Sequence, residues 1–175
     1  NNSMAMVREA AKIDKKGFKA LIIGNDADNF SVGANVGLAL FAANTAMWPL
    51  LEQNIKEGQD AYMALKYAPF PVVGAPAGMA LGGGCEVLLH CDAIQACAET
   101  YIGLVEVGVG LIPGWGGTKE TVLRNVANKK RPGGPVPPVA NAFETIGLAK
   151  VSKSAVEASD LLFLRAGDGV TMNRR

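Results

Sequence analysis

The sequence predicts an α/β domain with a mostly parallel sheet, and three observations support this fold class. Two short, continuous apolar runs, at residues 18–24 and 71–74, have the length and composition of strands that are buried on both faces. Each run is followed by a stretch whose apolar residues recur at helical spacing. Strands that alternate with helices in this way are typical of βα units, whose strands pair in parallel.

The amino-terminal residues predict a helix instead of the strand that opens most α/β domains. In NNSMAMVREAAK, Ser3 suits the cap position, and the apolar Val7 and Ala10 share one face. Because the chain starts with Asn1 and with a helix, we expect it to be a piece of a longer protein whose first strands are missing here.

Between residues 18 and 99, the chain predicts three strands separated by loops and helices. Gly24 ends the first strand, and the polar residues after it favour turns. The segment 92–99 alternates apolar and polar residues, which is typical of a strand. The predicted elements are, in order, a strand at 18–24, a loop at 25–35, a helix from Val36, a helix from Pro49 to about Tyr67, a strand at 71–74, a helix at 83–90 and a strand at 92–99.

The rest of the chain predicts helices on either side of one connector. Residues 110–118 predict a turn-rich loop. The segment NKKRPGGPVPP, at 128–138, is rich in proline and glycine, and it divides the chain into a core, residues 1–127, and a C-terminal helical segment, residues 139–175. The predicted helices are 115–125, 139–150 and 154–164, the last with a capping box formed by Ser154 and Glu157.

Composition and charge exclude several classes of function. The chain carries 17 Lys and Arg against 16 Asp and Glu, and 6% of its residues are aromatic, which gives no basis for binding nucleic acid. Cys85, Cys91 and Cys97 are six residues apart and there is one histidine, so we expect reduced, buried thiols, no metal site and a cytoplasmic protein. The longest apolar run, 36–51, is shorter than the roughly 20 residues that span a bilayer.

The stretch ALGGGCEVLLHCD, residues 80–92, places three glycines at the start of a predicted helix. The N–H groups at a helix start are unpaired, and a ligand can reach them where side chains are absent. The spacing matches neither a phosphate-binding P-loop nor a dinucleotide fingerprint. Two interpretations remain: the N–H groups bind a developing oxyanion on a carbonyl, or the glycines allow close helix packing.

A second glycine loop and two carboxylates favour the oxyanion interpretation. The loop FSVGAN, residues 30–35, follows the first strand, and ligands of open α/β sheets collect at the carboxyl ends of strands. Glu86 and Glu106 both lie among apolar residues and glycines, where burial raises the pKa of a carboxyl group. Two such groups around one water can divide the acid and base roles near neutral pH. The alternative for each is exposure to solvent or pairing with a lysine.

Three motifs together resemble the crotonase, or enoyl-CoA hydratase, superfamily. They are FSVGAN, PVVGAPAGMALGGGCEVLLHCD and GLVEVGVGLIPGWGGTKE. The resemblance runs from about residue 18 to about residue 125, with weaker similarity to about residue 166, and the order and spacing of the motifs make it specific. It implies a crotonase-like fold, which is a ββα-type superhelix with a mostly parallel sheet.

The resemblance also implies a site for the thioester of an acyl-CoA substrate, with no cofactor in this chain. The main-chain N–H groups of Val32 and Gly83 would polarise the thioester carbonyl. Glu86 would orient and activate a water, and Glu106 would be the main proton donor, so that a trans-2-enoyl-CoA is hydrated. Further substrate contacts would come from Ser31, Gly33, Ala34, Gly82, Pro113 and Gly114.

A narrower resemblance is to the hydratase-like part of fused bacterial 3-hydroxyacyl-CoA dehydrogenases. The stretches DNFSVGANVG, GLIPGWGGTKE and AFETIGLAKVSKSAVEA carry it. It implies a role in fatty acid β-oxidation within a bifunctional parent, whose separate dehydrogenase part binds NAD. These 175 residues contain no nucleotide fingerprint, so we expect NAD to bind elsewhere in the parent. The implied partners are that dehydrogenase part or other copies of the chain, as in the trimers of the family.

Some positions depart from the family pattern, and two other functions stay open. Asn35 stands where an aspartate is common, and Val105 stands where a proline is common. The acidic loop GNDADN, residues 24–29, lies where a cation near the CoA phosphates is expected. The alternatives to hydration are another crotonase-type reaction, such as enoyl-CoA isomerisation, and a non-catalytic module that binds acyl-CoA or acts as a scaffold.

Overall fold

The computed structural model describes residues 19–130 and 133–173, so the helix predicted at the amino terminus lies outside the described residues. Short strands alternate with helices, as the sequence predicts. The strands are β1 (Leu21–Ile23), β2 (Val72–Gly74), β3 (Met79–Leu81), β4 (Ala93–Cys97), β5 (Tyr101–Gly103) and β6 (Gly169–Thr171). The helices are α1 (Val36–Asn44), α2 (Trp48–Lys66), α3 (Gly83–Leu89), α4 (Gly117–Ala127), α5 (Val136–Gly147) and α6 (Ala155–Asp160), with a 3-10 turn at Glu106–Val109.

All strand pairs within the described residues are parallel, which confirms the predicted sheet type. The main sheet has the order β1-β2-β4-β6, with Leu21 opposite Val72 in the first pair. Strands β3 and β5 form a separate parallel pair. Ser31 adds to its edge through a parallel bridge to Ala80, which carries the loop after β1 alongside β3. This small pair therefore brings the loop after β1 to the start of α3.

The structure corrects several predicted boundaries in the C-terminal part. The segment 139–175 is not all helical, because it ends in strand β6, which pairs with β4. Helix α5 begins at Val136, inside the predicted connector, since prolines are tolerated in a first helical turn where the missing N–H costs no hydrogen bond. Helix α6 ends at Asp160, before the predicted end at 164, and Leu162 then adopts a φ of +63°.

Two helix caps tie loops to the fold. Asn35, in place of the common aspartate, accepts a hydrogen bond at Oδ1 from the Gly37 N–H, 3.0 Å away, and so caps α1. The predicted cap of α6 is present, because the Glu157 N–H donates to Ser154 Oγ. The Glu157 carboxylate returns to the N–H of Lys153, one residue before the cap.

The core surrounds α3, whose residues from Gly84 onward are all buried. Cys85 and Cys91 are buried and free, as predicted, and Cys97 is a free, half-buried thiol. Within residues 19–130 and 133–173, no group of His, Cys, Asp and Glu side chains could hold a metal ion. The same residues include no helix that is both long and apolar enough to cross a membrane.

Candidate active site

The three glycines at the start of α3 lie against other protein atoms. Gly82 is the N-cap and has a φ of +55°, a conformation that side chains disfavour. A Cβ on Gly83 would lie 2.7 Å from the Trp115 ring, and a Cβ on Gly84 would overlap the carbonyl oxygen of Ser31. Close packing, one of the two interpretations left open by the sequence, therefore explains Gly83 and Gly84.

This close packing also brings the two glycine loops together. Gly33, with a φ of +89°, lies so near α3 that a Cβ on it would be 3.3 Å from the main-chain nitrogen of Gly83. Among the described residues, the N–H groups of Val32 and Gly83 have no hydrogen-bond partner. Val32 is 61% exposed, so solvent reaches this point. Two free main-chain donors thus lie close together, where the loop after β1 meets the start of α3.

Glu86 lies one turn into α3, and its side chain is turned into the protein. The residue is 2% exposed, and Oε1 accepts hydrogen bonds from the N–H groups of Trp115 and Gly117, each at 2.9 Å. Burial, with a smaller contribution from the nearby Glu106 charge, raises the pKa of Glu86 against the opposing effect of the two N–H donors, and the pKa is about 7 as a result. A carboxyl group of this kind exchanges protons near neutral pH.

Glu106 is the first residue of the 3-10 turn, and its carboxylate lies next to Gly82. Its Oε1 lies 3.4 Å from the position that a Cβ on Gly82 would occupy. Its Oε2 is buried and has no hydrogen-bond partner within the part of the chain that the structure describes. Burial raises the pKa of Glu106 as well. Neither carboxylate therefore follows the alternative of a solvent-exposed or lysine-paired side chain.

The remaining predicted contacts fall into two groups. Ser31 lies at the site, because its carbonyl oxygen accepts from the Leu81 N–H and its Oγ accepts from the Gly33 N–H. Pro113 is buried under the turn that precedes α4, beside Gly117. Ala34 is exposed just before α1, and the Gly114 carbonyl faces outward to Gln59 of α2, 2.8 Å away. The described contacts do not bring these last two residues to the carboxylates.

Sequence reasoning missed the groups that hold the site in place. Trp115 and Gly117 act on Glu86 through main-chain N–H groups, and main-chain donors leave no signal in the sequence apart from the glycine itself. Tyr62 of α2 donates its hydroxyl hydrogen to the Gly83 carbonyl, 2.9 Å away, and its ring meets the Trp115 ring edge to face. The sequence predicts the helix that carries Tyr62, but a local pattern cannot say which loop a side chain of that helix meets.

The fold is that of the crotonase-type enoyl-CoA hydratases. A putative enoyl-CoA hydratase from Streptomyces coelicolor A3(2) matches with a TM-score of 0.77 and 22% identity, over 96% of this chain and 56% of that one. An enoyl-CoA hydratase from Bacillus anthracis matches with a TM-score of 0.71 and 23% identity, over 97% and 60%. The sequence pattern of the enoyl-CoA hydratase/isomerase family matches residues 4–131, and the chain belongs to that family.

Curated relatives are longer proteins, named as a 3-hydroxyacyl-CoA dehydrogenase or as parts of a fatty acid oxidation complex. A probable 3-hydroxyacyl-CoA dehydrogenase from Bacillus subtilis (strain 168) is 40% identical over 169 residues, which are 97% of this chain and 21% of that protein. A fatty acid oxidation complex subunit alpha from Vibrio vulnificus (strain CMCP6) is 43% identical over 110 residues, which are 61% of this chain and 15% of that protein. The chain thus spans about a fifth, or less, of the length of these relatives.

Proposed function

We propose that this domain adds water to trans-2-enoyl-CoA and forms 3-hydroxyacyl-CoA. One observation carries the proposal: two carboxyl groups with raised pKa values, the buried Glu86 and the half-buried Glu106, flank the glycine turn whose Gly83 N–H is free beside the free Val32 N–H. Hydration needs an acid, a base and a group that stabilises an enolate, and this arrangement supplies all three.

The proposed steps balance in protons. The thioester oxygen accepts hydrogen bonds from the Val32 and Gly83 N–H groups, which stabilise the negative charge that develops there. The Glu86 carboxylate takes a proton from water as the hydroxyl oxygen bonds to C3. Glu106 gives a proton to C2 as the enolate returns to the thioester. The proton that Glu86 gains and the one that Glu106 loses are then exchanged through solvent.

The names of the relatives support a wider setting for this reaction. We propose that the chain is part of a bifunctional protein of fatty acid β-oxidation, in which a separate NAD-dependent part oxidises the 3-hydroxyacyl-CoA. The substrate of the domain is then acyl-CoA, and its partners are that part or other copies of the chain. The division into a core at 1–127, a connector and a C-terminal segment also stays a prediction.

Loss of the enoyl-thioester absorbance of crotonyl-CoA tests the reaction directly. We expect turnover by the wild type and a loss of about 100-fold or more in kcat for Glu106→Gln, because removal of a general acid costs roughly 10²–10⁴-fold. Glu99→Gln, a change on an exposed residue, is the matched control. Unchanged kcat in Glu106→Gln would contradict the assigned role.

Two further measurements separate the alternatives. Incubation with a 3-enoyl-CoA, which lacks the conjugated absorbance, reports isomerisation if that absorbance appears. Calorimetry with the saturated butyryl-CoA reports binding without chemistry. Binding together with no turnover of either enoyl-CoA would favour a non-catalytic module that binds acyl-CoA, and no binding at all would contradict both functions.

A further inference from the structure

His90 is a buried titratable residue that the proposed reaction does not use. It is the only histidine of the chain, it is 2% exposed, and it follows the last residue of α3. Its Nδ1 lies 2.7 Å from the main-chain carbonyl oxygen of Glu86. A carbonyl oxygen only accepts hydrogen bonds, so Nδ1 must carry the hydrogen.

The imidazole replaces a helical hydrogen bond at the end of α3. In a regular α-helix the His90 main-chain N–H would donate to the carbonyl of Glu86. Here it donates to the carbonyl of Val87 instead, 3.1 Å away. Carbonyls in the last helical turn lose their usual donors. The His90 side chain supplies a donor to Glu86 and thereby fixes the main chain of the residue that carries the carboxylate.

The same ring lies against the turn that holds the Glu86 carboxylate. A Cβ on Gly116 would lie 2.8 Å from both Cε1 and Nε2 of His90. Gly116 sits between Trp115 and Gly117, the two residues whose N–H groups bind Glu86 Oε1. On another side, the Tyr62 ring lies 5.5 Å from the imidazole, centroid to centroid. His90 is therefore wedged between the helix that carries Glu86 and the turn that orients it.

Burial, together with two nearby lysines, keeps the His90 ring neutral. Nε2 is buried and unpartnered by any described residue, and Glu120 Oε1 lies 3.7 Å away. Lys66 and Lys119 neutralise that carboxylate, with Nζ to Oε1 distances of 2.6 and 3.0 Å. Burial lowers the pKa of His90, and the two lysines lower it further, against the opposing effects of the Glu86 carbonyl and Glu120. The ring is thus neutral at pH 7, with its hydrogen on Nδ1.

We propose that His90 is a positioning residue for Glu86: its neutral ring, with the hydrogen on Nδ1, holds the Glu86 main chain against the Gly116 turn, so that both N–H donors stay on the carboxylate. The effect of His90 on turnover rests on the proposed hydratase function. The effect of His90 on the hydrogen bonds of Glu86 does not, because those hydrogen bonds exist in the free protein.

The two N–H donors act on the pKa of Glu86 in a known direction. The Gly117 and Trp115 N–H groups lower the pKa of Glu86 against the effect of burial, so their loss raises that pKa further. The other titratable groups that act on Glu86 are Glu106, Tyr62 and Cys85. Burial raises the pKa of Tyr62 and of Cys85, so these two stay neutral across the range in which Glu86 titrates. If the pKa of Glu86 is higher, its carboxylate forms at higher pH. The rise in rate that depends on this carboxylate then also moves to higher pH.

Two substitutions of similar size and polarity test the role. His90→Asn places an amide nitrogen where Nδ1 lies, and His90→Gln places one where Nε2 lies. We expect His90→Asn to leave unchanged the acid limb of the pH profile, which is the pH range in which kcat/KM rises as Glu86 ionises. We expect His90→Gln to move that limb up by about one pH unit, so that its rate is roughly fivefold below that of the wild type at pH 7 and approaches the wild-type rate near pH 9. A purely structural role would lower the rate equally at every pH.

A measurement without turnover separates this inference from the proposed function. In protein labelled with ¹³C-glutamate, with the Glu86 signal assigned from Glu86→Gln, His90→Gln is expected to raise the pKa of Glu86 and His90→Asn is not. Long-range ¹⁵N spectra of untagged protein report the hydrogen position on the single histidine. Hydrogen on Nε2, or an unmoved Glu86 titration in His90→Gln, would overturn the positioning role even if crotonyl-CoA is hydrated. Absence of turnover together with the expected titrations would overturn only the hydratase function.

Discussion

The buried position of Glu86 lowers the stability of the folded protein, since a carboxyl group in a buried site resists ionisation. Its pKa of about 7 compares with an ordinary value of 4.5. The two N–H donors from the turn before α4 offset part of the burial but not all of it. At neutral pH the residue is therefore divided between its two protonation states, which suits proton transfer and costs folding free energy.

Glu86→Gln is expected to stabilise the protein at high pH. The folded state holds the Glu86 proton up to about pH 7, whereas the unfolded chain releases it near pH 4.5, so wild-type stability falls as pH rises through this window. The difference between the two pKa values corresponds to about 3 kcal/mol. Glutamine has no such titration and keeps an acceptor for both N–H donors.

Denaturant unfolding at pH 5 and pH 8 measures this effect. The free energy of unfolding of Glu86→Gln minus that of the wild type should grow between the two pH values by about 2–3 kcal/mol. Glu52→Gln, a change on an exposed side chain of α2, is the control and should show no such growth. A constant difference in Glu86→Gln would mean that the carboxyl group ionises as easily in the folded state as in the unfolded one.

At the scale of elements, the position of α3 depends on contacts that a single methyl group would disrupt. Gly84→Ala is expected to destabilise the protein by about 1–3 kcal/mol, because the added Cβ overlaps Ser31 and forces α3 away from the loop after β1. That movement separates the Val32 and Gly83 N–H groups, so crotonyl-CoA turnover should fall as well. Gly108→Ala, where a Cβ meets nothing within 4 Å, is the control.

Thermal melts and kcat values of both variants check this prediction. If Gly84→Ala melts and turns over crotonyl-CoA like Gly108→Ala, the close contact between α3 and Ser31 does not position the site. Loss of stability with full activity would show that the contact matters to folding alone.

The elements that the sequence predicted are those with a recognisable local pattern. Strands β1 and β2 lie in continuous apolar runs, β4 alternates apolar and polar residues, and helices α1 to α6 have helical spacing or a cap. Strands β3, β5 and β6 are also short, and each adjoins or includes a glycine that breaks the apolar run. Glu86 and Glu106 are predictable as site residues because carboxylates are unusual among apolar residues and glycines. The Trp115 and Gly117 donors and the Tyr62 contact arise from residues 21 to 31 positions away in sequence, which local pattern cannot reach.

At the scale of the whole molecule, one core continues across the predicted connector. Phe163 and Leu164, after the connector, pack in the same cluster as Leu88 and Leu104 before it. Arg124 of α4 adds polar links across it, donating to the carbonyls of Phe163 at 2.9 Å and Leu89 at 3.2 Å. We therefore expect the two segments to unfold together, although proline and glycine in the connector suggest a boundary.

Arg124→Met tests this cooperativity. Burial lowers the pKa of Arg124 to about 10, yet the group stays charged at pH 7 and its donors satisfy buried carbonyls. Methionine fills a similar volume but leaves those carbonyls unpaired, at a cost of about 2–4 kcal/mol.

We expect one denaturant transition in the wild type, and one transition at lower denaturant in Arg124→Met, by both tryptophan fluorescence and circular dichroism. Lys129→Met, on an exposed residue just after α4, should unfold like the wild type. Two transitions in the wild type, or a shift of only one of them in Arg124→Met, would instead make the segments after and before residues 128–138 separate folding units.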